Sequence, residues 1–247
     1  MIFRPYYTFE TGCAGYLLGC GGLGICAVVD PHERDIDAYA SFAADKGMQI
    51  THVIDTHIHA DHRSAGPALA AKSGAAYCLH ASADVDVAFE PLHDEQLLVL
   101  GNVRVRVLHT PGHTPESVCL VVTDLRRGPE PWFVLTGDTL FVGAVGRPDL
   151  PGRIHESAGE LYDSIHGKLL TLPGELEVYP AHFAGSACGA GISGKPSTTL
   201  AFERRCNPLL ALERDAFIAA VADVPPKPSQ MHEILLANRG RTEAVAT

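Results

Sequence analysis

Four residues with metal-binding side chains crowd into six positions of the segment Thr56-His57-Ile58-His59-Ala60-Asp61-His62. In a turn at the end of a strand, alternate side chains project toward one point. His57 and His59 can therefore converge while Asp61 and His62 approach from another side. Neutral imidazole and carboxylate are suitable ligands for Zn, Fe and Mn alike. A lone histidine is more often a core or surface residue, but H-x-H-x-D-H spacing points to a metal centre. Three further residues sit in one recurring setting. His113 lies in Thr110-Pro111-Gly112-His113-Thr114, Asp138 in Thr136-Gly137-Asp138-Thr139 and His182 in Tyr179-Pro180-Ala181-His182. Each follows a short apolar run, and glycine or proline shapes the loop. A polar side chain at the C-terminal edge of a buried strand is the usual way a site is assembled on a rigid sheet.

The elements that must position these residues follow from apolar periodicity. Residues 14–18, 25–29 and 50–55 read as strands, the last delivering the histidine-rich turn. Ile36, Tyr39 and Ala43 fall at helical spacing within 32–46, and Gly47 is a stop. Ser64 can cap a helix that runs to about Ser73 and closes at Gly74. Residues 75–79, 97–100, 103–108, 117–122 and 132–135 have strand character, and Gly101-Asn102 suits a hairpin turn. Leu161, Ile165, Leu169 and Leu172 form one helical stripe between Pro151-Gly152 and Pro173-Gly174. Residues 176–179 are one further strand. A Gly/Ser/Ala loop at 184–197 then precedes helical patterns at 198–206, 208–222 and about 230–238, the last two separated by Pro225-Pro226-Lys227-Pro228. Periodicity alone places the chain in the α/β or α+β class.

Composition sets the boundaries. Hydrophobic residues make up 46% of the 247 residues and charged ones 19%, enough apolar material for a real core. The formal net charge of -10, with no run of Lys or Arg, disfavours a nucleic-acid partner. No apolar stretch reaches membrane-spanning length. The first residues lack the charged head and apolar body of a signal peptide, so a cytoplasmic protein is expected. The seven cysteines are an odd number without a C-x-x-C pair, which reads as buried thiols in a reducing compartment. Cys188 is set apart by its glycine-rich loop beside His182.

The motifs T-H-x-H-x-D-H, P-G-H-T, G-D and P-A-H, in this order from 56 to 182, resemble the ligand motifs of the metallo-β-lactamase superfamily. Residues 137–150 are similar to the G-D-x-L…G-R-x-D segment of glyoxalase II-like proteins, the persulfide dioxygenases in particular. Residues 111–117, 181–189, 194–197 and 202–205 resemble the persulfide dioxygenase branch often fused to rhodanese domains. The resemblance implies an αββα four-layer sandwich over 1–247, as one domain with a C-terminal helical segment at about 198–238 and no rhodanese domain.

It further implies one Fe(II) per chain, held by His57, His113 and Asp138, with three positions left for water, substrate and O2. Glutathione persulfide or a related small persulfide would be oxidised to sulfite and the thiol, in sulfide detoxification. Asp61, His62 and His182 would be catalytic groups around the iron, orienting ligands and relaying protons together with His59. Arg147 would take a substrate carboxylate, and Lys195 would offer a further anion contact. A rhodanese-type sulfurtransferase is the implied partner, and a homodimer is compatible. One departure stands out: stand-alone members carry a tyrosine that helps hold glutathione where this chain has Ala184.

The alternative is a binuclear zinc thioester hydrolase of the glyoxalase II type. There His57, His59 and His113 hold one Zn(II), Asp61, His62 and His182 the second, and Asp138 bridges the pair around a nucleophilic hydroxide. A metal-free scaffold is disfavoured because no ligand has been lost, and a nuclease by the acidic balance.

Overall fold

In the computed structural model, residues 1–184, 186, 188–189, 191–224 and 226–242 are described. Gly185, Ala187 and Ala190 of the predicted loop and Pro225 of the proline break lie outside them. The first half forms strands β1 (Ile2–Thr8), β2 (Cys13–Cys20) and β3 (Ile25–Val29), helix α1 (Ile36–Asp45), strand β4 (Gln49–Ile54), helix α2 (Gly66–Ser73), and strands β5 (Ala76–His80) and β6 (Glu90–Leu92). The six strands make one sheet in the order β1-β2-β3-β4-β5-β6, antiparallel as far as β3 and parallel beyond it.

The second half forms β7 (Leu97–Leu100), β8 (Val103–His109), β9 (Val118–Asp124), β10 (Phe133–Gly137), α3 (Ile154–Gly167), β11 (Glu177–Pro180), β12 (Thr198–Thr199), α4 (Leu200–Cys206), α5 (Arg214–Ala222) and α6 (Met231–Asn238). Its sheet runs β12-β11-β10-β9-β8-β7.

Side-chain alternation explains the layering. On β2, Tyr16 and Leu18 face the core between the sheets, where they meet Val105, Val107, Leu120 and Phe133. Leu17 points the other way, joining Val28 and Val53 under Tyr39 of α1 and Leu69 of α2. The second sheet repeats the pattern. Val121, Val134 and Val178 turn outward onto Leu161 and Ile165 of α3 and Phe217 of α5. Each such fully buried side chain contributes about 1.5–3 kcal/mol. Helix, sheet, sheet and helix are thus the four expected layers.

The differences from the predicted elements are local. β1 and β6 were not anticipated, because Pro5 and Pro91 interrupt their patterns; both are edge strands, where proline is tolerated. The 32–46 and 208–222 patterns each open on a 3-10 turn, Glu33–Asp35 and Pro208–Ala211. The 198–206 pattern begins as two strand residues, and Thr199 caps α4 by accepting from the Phe202 N–H. Helix α2 starts at Gly66, whose N–H donates to the Ser64 hydroxyl at 2.8 Å. No helix among the described residues is long and apolar enough to cross a membrane.

The two sheets also meet through a pair of imidazoles. His80, at the end of β5, stacks on His109, at the end of β8, with centroids 3.8 Å apart. Burial, followed by the neighbouring His109, pushes His80 down to about 4. An unfolded histidine titrates near 6.5, so between roughly pH 6.5 and 4 the unfolded chain binds the extra proton. Stability contributed here should be present above that window and lost as pH falls through it. In urea titrations at pH 7 and pH 4.5, His80→Phe should show a smaller drop in midpoint than the parent; an identical drop would refute this account.

Candidate metal centre

All the predicted donors except Asp61 and His62 are fully buried, and the loops that carry them follow β4 of the first sheet and β8, β10 and β11 of the second. His57 follows β4. Asp30, at the end of β3, accepts the Thr56 N–H at 2.7 Å and the Thr56 hydroxyl at 3.0 Å. With its proton given to Asp30, the Thr56 oxygen can only accept from His57 Nδ1, 3.0 Å away. His57 therefore carries its proton on Nδ1 and turns the Nε2 lone pair inward. His113 reaches the same state by another route. Its Nδ1–H donates to the Arg147 carbonyl at 2.9 Å, leaving Nε2 free. Burial, reinforced for His57 by His59, lowers both imidazoles and keeps them neutral, as metal ligands must be.

Glycine makes this approach feasible. A Cβ on Gly146 would lie 1.9 Å from the Asp138 carbonyl oxygen and 3.0 Å from His113 Nδ1. Gly112, at φ +141°, lets the Leu161 backbone of α3 press on the His113 loop, where a Cβ would sit 2.4 Å from the Leu161 Cα.

Asp138 Oδ2 lies 3.3 Å from His113 Nε2 and 3.7 Å from His57 Nε2. Burial would raise its carboxyl, but His182, His57 and His113 outweigh that and hold it well below the ordinary range. The three donor atoms lie within 4.8 Å of one another. His57 Nε2, His113 Nε2, Asp138 Oδ2, His59 Nδ1 and His62 Nε2 are all buried without a hydrogen-bond partner. Each such atom costs about 1–3 kcal/mol if left so. Those of His57, His113 and Asp138 converge, and a cation among them satisfies their lone pairs, so the residues present fit a metal.

A second set adjoins the first. His182 Nδ1 is 2.6 Å from Asp138 Oδ1, and its Nε2 is 2.8 Å from Asp61 Oδ2. Burial opposes charge on His62, but Asp61, 3.1 Å away, outweighs it and raises the imidazole to about 10. Cys13 completes the group, its Sγ 3.5 Å from Asp61 Oδ2 and within 4.8 Å of the other donors. Burial pushes the Cys13 thiol up, yet hydrogen bonds from His182, His32 and His62 bring it down to about 5. Sequence reasoning passed over this cysteine. Only tertiary structure places it: a bridge pairs Cys13 with His182, and the Phe183 N–H donates to the Gly12 carbonyl at 2.8 Å. Cys188, which the sequence singled out, is buried, and burial and then Asp61 push its thiol well above the ordinary value.

Of the predicted substrate contacts, Arg147 lies beside the donors and Lys195 does not. Arg147 donates to both Asp149 carboxylate oxygens, at 2.7 and 3.0 Å, and its carbonyl orients His113. Lys195 bonds to the Ser197 carbonyl and lines a depression with Val142, Thr198 and Phe202, so the structure does not bring it to the donors.

The C-terminal helix supplies one more residue that the sequence did not reveal. The Asn238 amide donates to the carbonyls of His59 and His62, both at 2.8 Å, and accepts the Ser64 N–H at 3.0 Å. Asn238→Ala should cost about 1–3 kcal/mol and loosen the 59–64 loop. Arg241→Ala, which breaks only the tie to Asp84 and Asp86, should leave metal affinity unchanged in chelator competition. Equal metal affinity in parent and Asn238→Ala would remove the residue from this role.

The family model described as the metallo-β-lactamase superfamily matches residues 12–182. The chain belongs to this superfamily. Within the metallo-β-lactamase superfamily its relatives point two ways. Human mitochondrial persulfide dioxygenase ETHE1 is 29% identical over 226 residues, covering 90% of this chain and 82% of that protein. A hydroxyacylglutathione hydrolase of Anaeromyxobacter dehalogenans is 34% identical over 244 residues, covering 85% and 86%. Among solved structures, ETHE1 from Myxococcus xanthus superposes with a TM-score of 0.84 at 31% identity, covering 97% of this chain and 98% of that one. The His/Asp cluster is thus the metal-binding site of a metallo-β-lactamase fold.

Proposed function

We propose that the chain is an Fe(II)-dependent persulfide dioxygenase. It takes a low-molecular-weight persulfide, glutathione persulfide or a relative, with O2 and water to sulfite and the parent thiol, in sulfide detoxification. The observation that carries this reading is the division of Asp138. One carboxylate oxygen faces His57 and His113, while the other is engaged by His182. Two imidazoles and one carboxylate oxygen are the donor set that non-haem iron oxygenases use, and these three residues would hold the iron. Bound by His57, His113 and Asp138, iron would supply the redox chemistry that joins O2 to the terminal sulfur.

The other steps belong to the protein. Thr56 and the Arg147 carbonyl hold the two imidazoles in their ligating tautomers. His62, Asp61 and His182 form a row of closely spaced titratable groups that ends on Asp138. The reaction consumes water and releases protons, and this row is placed to carry them outward. The burial of the donors keeps bulk water from the reacting sulfur.

The hydrolase reading is kept by one observation, the His59 Nδ1 lone pair left free while its Nε2 faces Asp30 at 3.3 Å. A binuclear centre would use it. Oxygen uptake with glutathione persulfide, run beside S-lactoylglutathione hydrolysis, separates the two. Thioester hydrolysis with two zincs and no oxygen uptake would overturn the dioxygenase.

A further inference from the structure

Cys13 belongs to neither the iron triad nor the proton row, yet its thiol sits among the donors of the second set. It is 4% exposed. The start of β2 carries it there from the first sheet. The Ala14 N–H donates to the Ala181 carbonyl and the Phe183 N–H to the Gly12 carbonyl, both at 2.8 Å, so Cys13 and His182 pair across the two sheets. Cys13 Sγ, Asp61, His62 and His182 offer one donor atom each, all within 4.8 Å of one another. Ligand atoms about 2.0–2.3 Å from a shared cation stand roughly 3–4 Å apart, so these four are near that spacing.

Two of the four atoms have no other use. His62 Nε2 and His182 Nε2 are buried with no aligned hydrogen-bond partner, on side chains 9% and 0% exposed. The Thr11 hydroxyl donates to Cys13 Sγ at 3.2 Å, and the thiol points at Asp61 Oδ2, 3.5 Å away. A ligating thiolate keeps the first contact, while the cation takes the place of the thiol proton, which leaves to solvent. A cavity of about 240 Å³, lined by Thr11, Ala60, Asp61 and Ser186, gives ion and proton a way through. Cys188, the other thiol nearby, groups instead with His182 and Asp138, and Asp138 is committed to His57 and His113.

We propose that Cys13, Asp61, His62 and His182 form a closed site for Zn(II), and that filling it shuts off turnover at the neighbouring iron. The coordination stands on the four donors, whereas the inhibition rests on the dioxygenase reading. A thiolate ligand favours Zn(II) over a cation that prefers oxygen and nitrogen. Four protein ligands fill a tetrahedral ion and leave no position for water or substrate, unlike the open centre of a binuclear hydrolase. With a cation on them, His62, Asp61 and His182 can no longer pass protons outward from Asp138.

The test titrates anaerobic, iron-loaded protein with Co(II), whose bond to a thiolate gives an intense near-ultraviolet charge-transfer band. The first equivalent should bring up the band while about one iron per chain is retained. Cys13→Ser should keep its iron and lose the band, and Cys188→Ser should keep both. Against a chromophoric chelator, Cys13→Ser should bind Zn(II) at least about tenfold more weakly than the parent. Oxygen uptake with glutathione persulfide should fall at least about tenfold in the zinc-filled parent, whereas Cys13→Ser treated alike should keep most of its own rate. No band in the parent, a band lost in Cys188→Ser but kept in Cys13→Ser, or release of iron by the first equivalent would overturn the site. So would S-lactoylglutathione hydrolysis gained on zinc filling, since a closed site gives none. Undiminished oxygen uptake in the zinc-filled parent would overturn the inhibition. Absence of uptake with every persulfide in zinc-free protein defeats the dioxygenase reading instead, and the Co(II) band still decides the coordination.

Discussion

Asp138→Ala protein purified without oxygen is expected to hold less than about a tenth of an iron per chain, whereas the parent holds about one. Among the described residues Asp138 is the only carboxylate facing both His57 and His113, and it is fully buried. Without it, two neutral imidazoles would have to hold a divalent cation with no carboxylate beside them. The same change leaves His182 with Asp61 as its remaining carboxylate partner, so the loss extends into the second donor set. His62→Ala is the informative contrast. His62 stacks on His32 and bonds to Asp61, away from the triad, so iron should stay bound while turnover slows. Metal analysis of both proteins decides the matter. Loss of iron in both variants would favour the binuclear centre and count against the triad.

The second large effect belongs to a residue that touches no metal. Asp30→Ala should destabilise the protein by about 3–5 kcal/mol, a fall of roughly 10 °C in Tm. Asp30 is buried and answers three donors: the Thr56 N–H, the Thr56 hydroxyl and His59 Nε2. Removing it leaves all three unpaired. The Thr56 hydroxyl would then be free to donate to His57 Nδ1, which moves the imidazole proton to Nε2 and spoils the ligand. Metal affinity should fall about 10–100-fold on that account. Asp30→Asn tests the same chain more gently. It keeps one acceptor oxygen, and asparagine tolerates the positive φ of +48° found here. A loss below about 1 kcal/mol in Asp30→Ala would show that the three donors find other partners.

What the sequence revealed and concealed follows from how far each signal reaches along the chain. Strands β3, β4 and β8 to β10 were legible because an apolar run or a period of two is written in consecutive residues. Proline hid the edge strands β1 and β6. The donors were legible for the same reason: His57 to His62 are neighbours in sequence, and His113, Asp138 and His182 each follow a strand within a few residues. Cys13, Asp30 and Asn238 were not, since each acts on a partner far away in the chain and is ordinary in its own segment. Asp30 precedes a proline and reads as a turn, while Asn238 reads as a helix end. Lys195 shows the converse. A cation in a Gly/Ser-rich loop invites an anion, and the structure turns its ammonium onto the Ser197 carbonyl instead.

The amide of Asn238 also fixes an order of events. During synthesis the histidine-rich loop emerges well before the helix that binds its carbonyls, Asn238 lying 179 and 176 residues after His59 and His62. Until α6 docks, that loop lacks its last restraint. The nascent chain thus meets the cell's metals with an unfinished centre, and the docking of α6 decides when a captured ion is locked in.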